Sequence, residues 1–172
     1  MKTLRPVLLG FGFAALGLLQ AQTPPRAPVN HDFDFWIGEW TVTTPDGKTA
    51  GENRIEAIAG GRGLLENWTG VDGSSGKSLN TFNAGRRQWQ QFWVGSGGAV
   101  LELAGGLEGG GRMVLVGHGS MQPGTLHRIA WTPNADGSVR QLWESSNDDG
   151  KTWQTLFDGL YRRKASSAPA HS

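Results

Sequence analysis

Four short runs each put one acidic or amide side chain on the same face as indole-bearing or apolar neighbours. In Arg87-Gln88-Trp89-Gln90-Gln91-Phe92-Trp93-Val94, a two-residue period groups Trp89, Gln91 and Trp93. The same period groups Val139, Gln141 and Trp143; Leu64, Glu66 and Trp68; and Asn80 with Phe82. Indole rings prefer burial, so these faces are read as inward, and each carries a polar group with it. A plain core does not tolerate such groups, because a buried polar atom without a partner costs ~1–3 kcal/mol. Two explanations compete. The polar groups satisfy one another, or they line a cavity in which Trp rings supply apolar walls and spaced polar atoms orient a ligand. The candidate ligand-binding set is Arg54, Glu66, Trp68, Asn80, Trp89, Gln91, Trp93, Arg128, Gln141 and Trp143. A buried Glu66 needs a cation, for which Arg54 and Arg128 are the candidates. His127 aligns with Ile129 and Trp131 while Arg128 takes the other face, and the sequence does not say which of the two points inward. A catalytic alternative uses Glu66 or Glu144 as base, with His127 or Arg128 as electrostatic partner, on a small molecule in a hydrolase, isomerase or lyase reaction. A third reading is a filled barrel serving a structural or envelope-interaction role.

Other reactive patterns carry less. No Gly-x-Ser-x-Gly elbow, Gly-x-Gly-x-x-Gly fingerprint or P-loop occurs. The Gly109–Gly111 run and Gly117-His118-Gly119 read as hairpin connections. His118 and His127 could each offer a single haem or metal ligand, but no spacing of His, Asp and Glu supports a multidentate site, so neither cofactor nor metal is expected. His31-Asp32-Phe33-Asp34 reads as a helix-capping cluster. Ser146-Asn147-Asp148-Asp149-Gly150-Lys151-Thr152-Trp153 resembles the Asp-box of sialidase-type propellers. One copy, where propellers carry several, argues for a braced hairpin turn and not for catalysis. Asn67-Trp68-Thr69 matches a glycosylation sequon and is read as coincidental.

The 172 residues suffice for one domain with a real core. The chain opens with basic Lys2 and Arg5, an apolar run from Val7 to Leu19, and a small residue at Ala21. That order is the signature of a signal peptide over residues 1–21, with a run too short for a comfortable membrane span. Its removal takes Lys2 and Arg5 away and turns a formal net charge of +1 into −1, a balance that does not favour a nucleic-acid binder. The expected product is periplasmic or secreted, without stable membrane insertion. The absence of cysteine excludes disulfides, thiolate chemistry and a lipid-anchored N-terminus. Residues 22–30 read as a Pro-rich tether, 31–164 as the folded domain and 165–172 as a small, polar tail.

What must position the polar groups is a meander of strands. Turn signals such as Pro45-Asp46-Gly47, Asp72-Gly73-Ser74 and Asn134-Ala135-Asp136-Gly137 recur at short intervals. Between them, the spacing predicts strands near 38–45, 48–58, 63–71, 76–83, 87–95, 98–104, 111–118, 125–132, 138–146 and 151–163. One helical turn between His31 and Ile37 would plug the entrance to the first strand. Ten hairpin-linked strands left flat would expose two edges, and closing them into an up-and-down antiparallel barrel removes both. A two-sheet sandwich is the alternative. An all-β barrel of this strand number encloses more space than its own side chains fill, which suits a small, partly apolar ligand.

Phe33-Asp34-Phe35-Trp36-Ile37-Gly38-Glu39-Trp40 resembles the opening of a bacterial family of exported, calycin-like proteins. Further points of likeness are Asn53-Arg54-Ile55, Leu64-Leu65-Glu66-Asn67-Trp68, Gly76-Lys77-Ser78-Leu79-Asn80, Trp131-Thr132-Pro133 and Asp158-Gly159-Leu160-Tyr161. Together they span nearly the whole domain. Gly38-x-Trp40 is similar to the Gly-x-Trp start of lipocalins, where the Trp closes one end of the barrel. The resemblance implies a calycin-type barrel of the kind that holds small hydrophobic ligands, and it implies no activity. Nitrobindin-like barrels bind haem through a His, but their Gly-rich haem motif is not evident here.

Overall fold

A computed structural model of the protein describes residues 28–165. The signal segment, residues 22–27 of the tether and residues 166–172 of the tail lie outside the described residues. Ten strands follow one another in chain order: β1 (Gly38–Thr43), β2 (Thr49–Ile58), β3 (Gly63–Gly70), β4 (Ser75–Asn83), β5 (Gln88–Gly95), β6 (Val100–Glu108), β7 (Arg112–Gly119), β8 (Leu126–Pro133), β9 (Val139–Ser146) and β10 (Gln154–Arg163). Every sequential pair is antiparallel, and β1 also pairs with β10 through Trp40↔Arg163 and Val42↔Tyr161. The sheet is a closed up-and-down barrel, so the sandwich alternative is not adopted. Among the described residues, closure leaves no strand with an unpaired edge.

Burial and register together bear out the inward faces read from period two. Trp68 lies opposite Gly76. Asn80 lies opposite Gln91 and Phe82 opposite Trp89. Trp131 lies opposite Gln141 and Ile129 opposite Trp143. Two boundaries differ from expectation. β6 continues to Glu108 because Gly105 is paired inside the ladder, opposite Leu115. A Cβ at Gly105 would overlap the Val114 carbonyl oxygen, so this glycine permits close strand approach without ending the strand. Gly117-His118-Gly119 likewise belongs to β7 and is not a hairpin connection. The final strand begins at Gln154 because the preceding turn is longer than a simple hairpin.

That turn is the Asp-box-like segment, and it is braced from inside. Ser146 Oγ donates to Asp148 Oδ1 at 2.7 Å, Thr152 Oγ1 donates to Asp148 Oδ2 at 2.6 Å, and the Thr152 amide donates to Asp148 Oδ1 at 2.9 Å. These donors hold the Asp148 carboxyl well below its usual range, at about 2. Gly150 takes φ 82°, a left-handed conformation that glycine adopts freely, and Trp153 donates to its carbonyl at 3.0 Å.

One end of the barrel is filled. A 3-10 turn at Asp34–Trp36 carries Phe33 and Trp36 into the bore, both fully buried. Phe33 stacks on Trp36 with centroids 5.0 Å apart and meets Trp131 edge-on at 5.1 Å and Trp89 at 5.5 Å. Trp40 is fully buried beside them and donates from Nε1 to the Trp36 carbonyl at 2.9 Å. The Arg163 guanidinium caps its ring at 4.4 Å. The expected capping role of the His31–Asp34 segment is not met, since no side chain caps this turn; His31 Nδ1 instead contacts Asp34 Oδ2 at 2.6 Å in solvent.

Candidate functional site

The opposite half of the bore holds a pocket of about 380 Å³. Its upper wall is built from Trp68 on β3, Trp93 on β5, Trp143 on β9 and Phe157 on β10, with Val71, Asp72 and Ser74 of the β3–β4 turn beside it. Glu66, Gln91, Ile129, Trp131, Gln141 and Tyr161 line its deeper part. Two strand glycines let the rings lie against the wall. A Cβ at Gly76 would overlap the Trp93 ring, and one at Gly51 would sit 2.7 Å from Trp68 Cη2.

Around the deep part runs a connected polar belt spanning six strands. Gln91 Nε2 donates to Asn80 Oδ1 at 2.9 Å, and Asn80 Nδ2 donates to Ser78 Oγ at 2.8 Å. Ser78 Oγ donates to Glu66 Oε2 at 2.6 Å, and Asn53 Nδ2 donates to Glu66 Oε1 at 2.7 Å. Asn53 also reaches the Tyr161 hydroxyl at 3.3 Å, and that hydroxyl donates to Gln141 Oε1. Donors therefore run inward from both sides onto the Glu66 carboxyl. Glu66 is 4% exposed, and burial pushes its pKa up to about 7 against the pull of Ser78 and Asn53. Burial, with the nearby Glu66 charge, also drives the Tyr161 phenol well above its ordinary value. Two residues that line the pocket each hold a buried polar atom without a partner: the Gln91 Oε1 acceptor and the Trp131 Nε1 donor.

The structure brings together Glu66, Trp68, Gln91, Trp93, Gln141 and Trp143 from the expected set, with Asn80 behind them in the belt. It separates three others. Trp89 shares the inward face but lies deeper along the strand, against Phe33 and Phe82 in the filled end. Arg54 points outward and pairs with Glu56 at 2.5 Å. Arg128 points outward too: it donates to Glu144 Oε2 at 2.8 and 3.0 Å and lies 4.1 Å over the Trp153 ring. Neither arginine reaches Glu66, because each is one residue out of phase with the inward side chains of its strand. The Glu144–Arg128 pair thus forms on the outer wall, away from the pocket. Inward-facing His127 accepts a hydrogen bond at Nδ1 from Trp143 Nε1 at 3.1 Å, which places its own proton on Nε2. Burial, then the His118 charge, lowers its pKa.

Asn53, Ser78, Phe157 and Tyr161 escaped the expected set. Ser78 carried the same signal as the residues that were included, since it sits two positions from Asn80, and Asn53 shares its strand face with Ile55, which the structure buries. Among the described residues no cluster of three or more His, Asp or Glu could hold a metal ion. The chain matches no family model, and no curated protein matches it.

Proposed function

We propose that this protein is an exported β-barrel that binds a small, partly apolar, partly polar molecule without transforming it. The reading rests on one observation: a closed barrel plugged at one end keeps, in its other half, a pocket walled by indole rings and floored by a polar belt. Its volume is within the range of small-molecule sites, ~300–1,000 Å³. The belt is built to hold its shape empty or occupied, since most of its polar atoms already have partners in the protein. A catalytic reading draws no support from the Glu144–Arg128 pair, which neutralises itself outside the pocket. The outer wall carries further ion pairs, Arg54–Glu56, Arg140–Asp158 and Lys164–Glu52, which favours a wall facing water over one facing lipid. Export follows from the basic-then-apolar opening of the chain. Kinship with the exported calycin-like proteins follows from the Phe33–Trp40 opening, and both belong to this proposal.

Native mass spectrometry of protein purified from the envelope of its own host tests the reading, with intrinsic Trp fluorescence screened against a metabolite collection alongside it. We expect a retained or added molecule to raise the mass and to shift the emission of Trp68, Trp93 and Trp143. Protein that carries no adduct and whose emission no compound changes would refute ligand binding.

A further inference from the structure

We propose that the ligand is an organic cation, an apolar body bearing a protonated amine whose ammonium group docks against Glu66. This rests on the ligand-binding reading above and specifies its chemistry. The charge inventory of the pocket is one-sided: its ionisable lining residues near neutrality are Glu66 in the deep part and Asp72 at the β3–β4 turn, both acidic. Among the described residues no Lys, Arg or His forms an ion pair with Glu66, because both arginines that might have done so point outward.

The carboxyl is nevertheless dressed for negative charge. Asn53 and Ser78 donate one hydrogen bond to each oxygen, and Asn80 and Gln91 pass donors along to Ser78 in the same direction. A carboxylate has about four lone-pair sites, so two remain for an incoming N–H donor. Gln91, which lines the same pocket, holds a further acceptor, since its Oε1 is buried and unpartnered. Trp68, Trp93, Trp143 and Phe157 supply aromatic faces to a cation and its carbon skeleton, an attraction that strengthens once water is excluded. A hard metal ion would want six or more oxygen ligands, which these walls do not provide. An anionic ligand such as a fatty acid would meet two carboxylates and no countercharge.

Around Glu66 stand Asn53 from β2, Ser78 from β4 and Tyr161 from β10. Among these the phenol is the other titratable group, and it stays protonated far above neutrality. A docked ammonium would therefore favour the ionised form of Glu66 and release the proton that burial holds on it near neutrality.

The test compares three molecules of one shape: phenethylamine, 2-phenylethanol and phenylacetate. Binding is followed by calorimetry and Trp emission on the full mature protein, with the amine repeated in two buffers of different ionisation enthalpy. We expect the amine to bind at least tenfold more tightly than the alcohol, phenylacetate not to bind, and protons to be released with the amine. In Glu66→Gln the tenfold preference should vanish, the amine then binding no more tightly than the alcohol. If that variant does not fold, the proton release of the unaltered protein decides the matter. Alcohol or phenylacetate binding as tightly as the amine, or amine binding with no proton release, would overturn the cation assignment and leave ligand binding intact. No binding by any of the three would also overturn it, and the host-purified adduct then decides whether the pocket binds anything.

Discussion

Replacing Glu66 with Gln removes one titratable group from the barrel interior at nearly constant volume. The amide oxygen can still accept from Asn53, and the amide nitrogen faces Ser78 Oγ. In the unfolded chain the carboxyl titrates near 4.5, whereas in the folded barrel burial raises it to about 7. Between those values the folded state holds a proton that the unfolded state has lost. Stability must therefore fall as pH rises through this window, the contribution being fully present below 4.5 and gone above 7. At 1.36 kcal/mol per pH unit, the window amounts to about 3 kcal/mol. The Gln variant lacks this slope. Urea unfolding of both proteins, followed by Trp emission from below pH 4.5 to above pH 7, isolates the Glu66 contribution as the difference between the two curves. The variant should gain about 3 kcal/mol on the native protein as pH rises across the window. A difference that stays constant, or that moves the opposite way, would mean that the donors from Asn53 and Ser78 outweigh burial. The account of Glu66 as a group kept near neutrality by desolvation would then fail.

Trp36→Ala should cost ~3–5 kcal/mol, the usual penalty for removing a large buried aromatic, because the ring is fully buried against Phe33 and Trp131. Urea denaturation measures it, and a loss below ~1 kcal/mol would show that the filled end adds little to the fold. His127 is held neutral in the barrel, so its pKa lies below the ordinary 6.5 and its contribution to stability is lost as pH falls from there through the folded value. Acidification should accordingly change the emission of Trp143, its hydrogen-bond donor, with a midpoint below 6.5, and His127→Gln should abolish that step. A midpoint above 6.5, or a step that survives the substitution, would contradict the Trp143–His127 bond.

Much of the fold is legible in the chain because a strand alternates its sides every residue and a hairpin declares itself in its turn. Parity by itself groups Trp89 with Gln91 and Trp93, and Glu66 with Trp68, and the barrel keeps those groupings. The Asp148 turn is equally local, since every bond that braces it is made within the eight residues from Ser146 to Trp153. Parity tells inside from outside but carries no depth. Trp89 and Trp93 share one face of one strand, yet the first is walled into the filled end by Phe33 and the second lines the pocket. Only the meeting of ten strands in one register, with a 3-10 turn lodged at one end of the bore, separates them. The partners of Glu66 are non-local in the same sense. An arginine looked necessary while the carboxyl was considered alone, because a buried charge wants a countercharge. The closed sheet instead brings Asn53 and Ser78 across from the two neighbouring strands and turns Arg54 and Arg128 to solvent. Side-chain direction is a property of each strand, but depth and partnership arise only when the strands close on one another.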